Sequence, residues 1–287
     1  TNALRQLARK HQTTLYVVTL AAFKTLLFRL TSERDVLIGT PINNRDKVEL
    51  ENLIGFFNET IVLRTQFEEE WNFGQLIENI KQTTAEAFEH KDLAFETLVK
   101  KLAPERQQGV HPVFQAMFLY NNEQADLGEK LDIDIKEEML DLGTSKFDLT
   151  LFVSDYKKHL ELSLEYAQDL FEENQIQRLL SYTENILFAA TQTPQQSLAD
   201  INFLPASEYK LLLQDWNDNQ INLPNFSTIH EVIEKQAANY PNHIAVNFEK
   251  DNLTYQQLNN QAEAVAHRLL KAGLSGNQPV GLYMDRS

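Results

Sequence analysis

The chain has no cysteine among its 287 residues. That excludes disulfides, thiolate nucleophiles, zinc–thiolate sites and iron–sulfur clusters together. Positive charge is also scarce: Lys and Arg number 26 against 41 Asp and Glu, a formal net charge of −15. Such a chain is poorly suited to coating phosphates, so neither nucleic acid nor a membrane is expected as a partner. Long hydrophobic runs are missing too. The strongest, residues 15–30, is interrupted by Lys24 and Arg29. It falls short of the ~20 residues that span a bilayer and reads as a buried helix. No charged-then-apolar leader is visible, and a cytoplasmic protein is expected.

Familiar catalytic spacings are absent as well. There is no H-E-x-x-H, no G-x-S-x-G elbow, no Walker loop and no dinucleotide fingerprint. Histidines stand at 11, 90, 111, 159, 230, 243 and 267, none adjacent to another. No metal site is expected; Asp132 and Asp134 read as the wet face of a strand.

What is present is the balance of a soluble globular protein, 43% hydrophobic and 23% charged. The pattern predicts a helix over 13–31, a strand over 35–43, a strand over 60–67 and a helix over 73–90. A helix carrying Phe95, Leu98, Val99 and Leu102 follows, ending before Pro104. Strands are expected over 113–121, 131–135, 146–155 and 159–167, the last two as an antiparallel hairpin with one wet face. A helix with Ile176, Leu179, Leu180, Ile186 and Leu187 on its apolar side completes a mixed α/β unit, a partly antiparallel sheet with helices packed on it.

Residues 191–227, rich in Pro, Gln and Asn, read as a linker with a short helix over 207–216 N-capped by Ser207. Residues 228–287 then read as the opening of a second α/β domain. Its elements are a helix over 228–239, a strand over 244–248, a turn at Asp251-Asn252, a helix over 255–272 capped by Gly273, and a strand over 279–284. Both ends of the chain read as cuts inside a fold, so a piece of a longer polypeptide is expected. Charge is uneven: residues 1–50 carry 8 basic and 4 acidic side chains, residues 51–200 carry 12 and 28. This reads first as solvated faces on an acidic protein; the sharper reading makes the basic start the place to meet an acidic or phosphate-bearing partner.

Four segments, in order, resemble the carboxyl-terminal half of a nonribosomal peptide synthetase condensation domain. Residues 35–64 resemble its G-x-P-x-x-x-R turn (Gly39, Pro41, Arg45) and its I-G-F-F-x-N-T-x-x-x-R motif, matching at Ile54, Gly55, Phe56, Phe57, Thr60 and Arg64. The family's Asn before that Thr is here Glu59, with Asn58 one place early. Residues 90–106 resemble H-Q-D-x-P-F-E-x-L-V, matching at His90, Asp92, Phe95, Glu96, Leu98 and Val99. Residues 111–122 are similar to N-P-L-F-Q-V-M-F-x-x-Q-N, with Pro112, Phe114, Gln115, Met117, Phe118 and Asn122 in place, and residues 145–151 are a close match to the S-x-F-D-L-T-L segment. The stretch from Leu204 to Asp218 resembles the condensation-to-adenylation connector, and residues 228–287 the start of an adenylation domain, with Leu253-Thr254-Tyr255 and Leu258-Asn259 as its first motif.

The resemblance implies residues 1–192 as a chloramphenicol-acetyltransferase-like half domain, 193–227 as linker, and 228–287 as the truncated amino-terminal segment of an adenylation domain. It implies amide formation between thioesters carried on the phosphopantetheine arms of upstream and downstream carrier domains. The other half of the condensation domain and the rest of the adenylation domain, with its ATP and Mg, would be further partners. The reacting H-H-x-x-x-D-G motif is not in this chain, so the fragment alone is expected to be inactive. The implied motif candidates are Arg45, Gly55, Phe56, Phe57, Asn58, Glu59, His90, Asp92, Phe95, Gln115 and Ser145. Of these, Phe56, Phe57 and Phe95 read first as core packing, Ser145 as a turn residue or a hydroxyl near the channel, and Arg45 as a surface ion pair or a functional polar contact. A degenerate, non-catalytic module that docks carriers is the alternative, motivated by Glu59. An epimerising or cyclising relative is a third reading, the direct run into an adenylation start arguing against epimerisation.

Overall fold

A computed structural model describes residues 1–45, 48–68, 70–102, 111–122, 143–156, 158–219, 228–276 and 278–284. The strand expected over 131–135 lies outside the described residues. By contacts the chain forms two units, residues 1–217 and 218–287.

In the first unit the apolar run becomes α2 (Leu15–Thr31), N-capped by the Thr14 side chain and buried along most of its length. No element is expected ahead of it from the sequence. The structure adds α1 (Asn2–Lys10), which buries Leu4, Leu7 and Ala8 against α2. Three small contacts on a nine-residue helix leave too short a stripe for periodicity to register. α1 and α2 meet at a bend of 100°, and among the described residues no single helix is long and apolar enough to cross a membrane.

Five strands follow: β1 (Asp35–Asn43), β2 (Asn58–Gln66), β3 (Ala116–Asn122), β4 (Leu149–Asp155) and β5 (Leu160–Tyr166). Their order is β2-β1-β3-β4-β5. β1–β2 and β4–β5 are antiparallel, whereas β1–β3 and β3–β4 are parallel. A crossover through α4 (Phe73–Glu89) and α5 (Phe95–Leu102) leads from β2 to β3, and α6 (Glu173–Gln192) follows β5; a one-turn α3 (Val48–Glu51) lies between β1 and β2. β3 and β4 begin three residues later than expected, because Val113–Gln115 and Lys146–Asp148 form bends that enter the strands.

Side chains alternate across each strand. One sheet face presents Val36, Ile38, Phe118, Leu151 and Val153 to a single core shared with α1, α2, α4 and α6. The other carries Leu37, Val62, Leu119 and Phe152, all only half-buried. Lys24 is the anomaly of the core, fully buried in α2, with Nζ donating to the Leu63 carbonyl at 2.7 Å and Thr65 Oγ1 at 2.8 Å. Asp155 at the end of β4 is held by Arg5 and by the Tyr120 hydroxyl at 2.8 Å, which ties α1 to β3 and β4.

The stretch read as linker packs into the first unit through Leu198, Ile201 and Phe203. Arg29 donates to the carbonyls of Leu198 and Ile201 and lies over the Phe203 ring. Its helix, α7 (Ala206–Leu213), is N-capped by Pro205 and not by Ser207. Proline lacks the N–H that a helix start cannot satisfy, so it suits the entry. Tyr182 anchors α7 by donating to Glu208 at 2.7 Å.

The second unit holds α8 (Ile229–Asn239), β6 (Ile244–Phe248), β7 (Asp251–Thr254) and α9 (Tyr255–Lys271). The hairpin turn lies at Glu249-Lys250, not at Asp251-Asn252: Phe248 pairs with Asp251, and Glu249 takes φ +50°. Gly273, at φ +91°, closes α9 with its N–H to the Leu270 carbonyl and the Leu274 N–H to the Leu269 carbonyl, a Schellman cap. The strand expected over 279–284 does not form. A strand needs a hydrogen-bonding neighbour, and none of the described residues pairs with it.

Candidate functional site

The motif residues gather at two places on the first unit. The first is an aromatic cluster where α5, β1 and the entries to β3 and β4 meet. Gly39 lies in the middle of β1, and a Cβ there would stand 2.2 Å from the ring of Phe114. The glycine is therefore a packing requirement: it lets a fully buried Phe114 lie flat against the strand. Around Phe114 stand Phe147 at 5.3 Å, Phe95 at 5.8 Å and His111 at 4.2 Å between ring centroids. His111 also stacks on Phe95 at 5.5 Å.

Backbone and side-chain hydrogen bonds fix this cluster. The Phe114 N–H points at His111 Nδ1 at 3.4 Å, and Gln115 Nε2 donates to the His111 carbonyl at 3.0 Å. Burial among the rings pushes the His111 pKa down, with the carboxylate of Asp148 working against it. Ser145 sits in the bend before β4 and donates to the Phe147 carbonyl. Three of the four resembling segments thus converge here with Gly39 of the fourth.

The second place is the loop between β1 and β2. Arg45 reaches across it, donating to the carbonyls of Leu50 and Leu53, each at 2.6 Å, with the Gly55 carbonyl at 3.4 Å. Its guanidinium lies 4.2 Å from the centroid of Phe57. At Gly55 there is little room, since a Cβ would meet the Phe57 ring at 3.1 Å. Arg45, Phe57 and Gly55 therefore form one clasp that shapes the loop. Replacing Arg45 by Ala should remove about 2 kcal/mol of local charge-assisted bonding. Hydrogen exchange over residues 50–57 should quicken while the core amides of α2 keep their protection; unchanged exchange in the loop would refute the clasp.

The remaining candidates fall outside both clusters. Phe56 does not pack in a core: it is 90% exposed, because the turn that sends Phe57 inward sends its neighbour out. Asn58 and Glu59 open β2 opposite Asn43 and Ile42, Asn58 exposed and Glu59 half-buried. His90 caps α4 and Asp92 follows on the exposed turn toward α5. Arg64 grips Asp35 with two parallel bonds across β1 and β2 and holds that carboxyl below its usual range. Within the basic opening fifty residues, Arg5, Lys24, Arg29 and Arg45 make their bonds inside the unit.

His111, Phe147 and Lys24 are the residues that sequence reasoning passed over. A glycine inside an apolar strand marks a close approach, and a lysine in an otherwise buried helix marks a desolvated amine. Both signals are present, at Gly39 and Lys24. Among the described residues, no group of three or more His, Asp or Glu side chains is placed to hold a metal.

Comparison with known proteins gives this arrangement its family. Residues 1–213 match the condensation domain family, and residues 233–287 match the AMP-binding enzyme family. The chain belongs to the condensation domain family and runs on into the start of an AMP-binding region. It is 34% identical over 284 residues to gramicidin S synthase 2 of Aneurinibacillus migulanus, covering 99% of this chain and 6% of that protein. It is also 34% identical over 288 residues to tyrocidine synthase 2 of Brevibacillus parabrevis, covering 100% of this chain and 8% of that one. The chain thus spans less than a tenth of these relatives.

Among solved structures it resembles a holo four-domain nonribosomal peptide synthetase bound to AMP and glycine. That match has a TM-score of 0.71 at 19% identity, over 96% of this chain and 22% of that one. The condensation domain of the monacolin K polyketide synthase aligns at TM-score 0.62 and 27% identity, over 69% of this chain and 46% of that one. The mixed sheet with its helices is the fold of condensation domains.

Proposed function

We propose that this chain is part of a nonribosomal peptide synthetase and that its first unit forms one wall of a condensation site. Residues 1–192 supply the carboxyl-terminal half of the condensation domain, 193–227 the connector, and 228–287 the opening of the adenylation domain. In the reaction the amine of the acceptor aminoacyl thioester attacks the carbonyl of the donor thioester. A C–N bond forms, the C–S bond breaks, and the donor's phosphopantetheine thiol leaves. The observation that carries the proposal is the order of matches along one chain, a condensation domain running directly into an AMP-binding region.

The geometry supports it in two ways. The half-buried apolar face with Leu37, Val62, Leu119 and Phe152 suits a channel that keeps water from a thioester. The aromatic cluster holds Ser145 at the entry to β4, where its hydroxyl donates to the Phe147 carbonyl and is the candidate to accept from an acceptor amine. Gln115 and Phe95 belong to the cluster and Arg45, Gly55 and Phe57 to the clasped loop, while His90, Asp92, Asn58 and Glu59 stand outside both. The histidine that drives the amine lies in the half this chain does not contain, so the chain alone is inactive. ATP and Mg belong to the remainder of the adenylation domain. The protein works in the cytoplasm beside its carrier domains.

In the intact polypeptide, Ser145→Ala should slow single-turnover amide formation about tenfold, the cost of one hydrogen bond of ~1.4 kcal/mol, with carrier affinity unchanged. Undiminished turnover would remove Ser145 from the site. Glu59, where the family has Asn, favours a second reading in which the domain only docks carriers; complete absence of amide product from the intact polypeptide would support it.

A further inference from the structure

His111 is the member of the aromatic cluster that can change its charge. The motif that residues 111–122 resemble opens on Asn, so an imidazole at this place is a feature of this chain. Its Nδ1 accepts the Phe114 N–H at 3.4 Å. A ring that accepts there is neutral and carries its proton on Nε2. Once protonated, both ring nitrogens donate, and Nδ1 would meet the Phe114 N–H donor to donor. Of the elements packed against the ring, α5 presents Phe95, and the bend before β4 presents Phe147 and the Asp148 carboxylate. Among the described residues, that carboxylate is the charge acting on His111. Burial outweighs it and moves the titration below the ordinary 6.5.

The Phe114 bond is tied to Ser145 by two routes. Gln115 bridges the two bends: its side chain donates to the His111 carbonyl at 3.0 Å, and its own carbonyl accepts the Asp148 N–H at 3.1 Å. Phe147 packs edge-on to the His111 ring at 5.3 Å, and its carbonyl takes the Ser145 hydroxyl. Whatever shifts the bend at 111–115 therefore shifts the bend at 145–148.

We infer that His111 is a positioning residue: its neutral ring holds the 145–148 bend that carries Ser145, and protonation releases that bend. This rests on the function proposed above and deepens it, since amide formation should then fall off on the acid side.

Two variants separate the hydrogen bond from the ring. His111→Asn keeps an acceptor for a backbone N–H just downstream and does not titrate, whereas His111→Phe keeps an aromatic ring and has no acceptor. Backbone hydrogen exchange at residues 114–116 and 147–149 of the intact polypeptide is followed by mass spectrometry at several pH values. Each rate is referred to the urea-unfolded sample at the same pH. The wild type should lose protection about fivefold, the scale of one hydrogen bond, as pH falls below 6.5. His111→Asn should keep its protection throughout, and His111→Phe should lack it at every pH. Single-turnover amide formation is read as the ratio of wild type to His111→Asn, so that the acceptor amine and the histidine of the other half cancel. That ratio should fall by a similar factor over the same range. Wild-type protection that ignores pH, or is lost equally in His111→Asn, would overturn the inference. So would a ratio that stays flat while protection falls. A wild type that forms no amide at any pH would instead sink the proposed function, and the exchange profile alone would then decide the inference.

Discussion

Gly39→Ala should destabilise the first unit by ~3 kcal/mol or more, near the upper end of the cost of overpacking a core. A methyl at that position would stand 2.2 Å from Phe114, whose ring is fully buried between Phe95, Phe147 and His111. The ring has no open space to retreat into, so β1 or the bend before β3 must move. Because β3 pairs with β1 only at Ile38–Ala116 and Gly39–Met117, displacement there attacks the narrowest join in the sheet. Chemical denaturation of the wild type and variant measures the effect. Trimming the ring in the double variant Gly39→Ala/Phe114→Leu should recover part of the loss. Additive penalties in that cycle would show that the two positions do not meet, against this packing.

The second large effect concerns Lys24. Burial pushes its amine down from 10.5 to about 7, against the opposing pull of the Asp35 carboxylate. Its two acceptors, the Leu63 carbonyl and Thr65 Oγ1, suit the two N–H bonds of a neutral amine. Between pH 7 and 10.5 the unfolded chain holds a proton on Lys24 that the folded chain does not. Stability should therefore rise with pH across that window, at up to about 1.4 kcal/mol per unit. It should be lost again as pH falls toward 7. Lys24→Met removes the titration and should flatten the curve. The quantity to measure is the difference in unfolding free energy between wild type and variant at several pH values. A difference that stays constant across the window between the two pKa values would mean that Lys24 is not desolvated.

Much of the architecture was legible because its signals are local. β1 was bounded correctly by an apolar run carrying Gly39 and Pro41, and α4 by a clean amphipathic stripe starting at Phe73. Gly273 announced its own helix end. The misses have a common physical cause, which is that a neighbour decides. Asp251-Asn252 has turn-like composition, yet pairing with Phe248 draws Asp251 into β7 and moves the turn to Glu249-Lys250. Residues 279–284 have strand-like composition and no partner among the described residues. Phe56 and Phe57 are chemically identical neighbours with opposite fates, separated only by which of them Arg45 covers. The candidate site was half legible. The segments naming Phe95, Gln115 and Ser145 were found, but the partners that bring them together, His111 and Phe147, became visible only when the strands placed them around Phe114.

This arrangement gives the condensation reading a specific division of labour. On the proposed function, the wall, the aromatic support beneath Ser145 and the clasped loop would come from this chain, and the proton-moving histidine from the half that completes the channel. The most direct measurement is the mass of the acyl group on the acceptor carrier after one turnover, with donor and acceptor carriers loaded and ATP removed. The intact polypeptide should transfer the donor acyl group and leave a dipeptidyl thioester on the acceptor, while the 287-residue chain should leave both carriers unchanged. An acceptor that keeps only its own aminoacyl group with the intact polypeptide, or a dipeptidyl product formed by the 287-residue chain alone, would contradict the account.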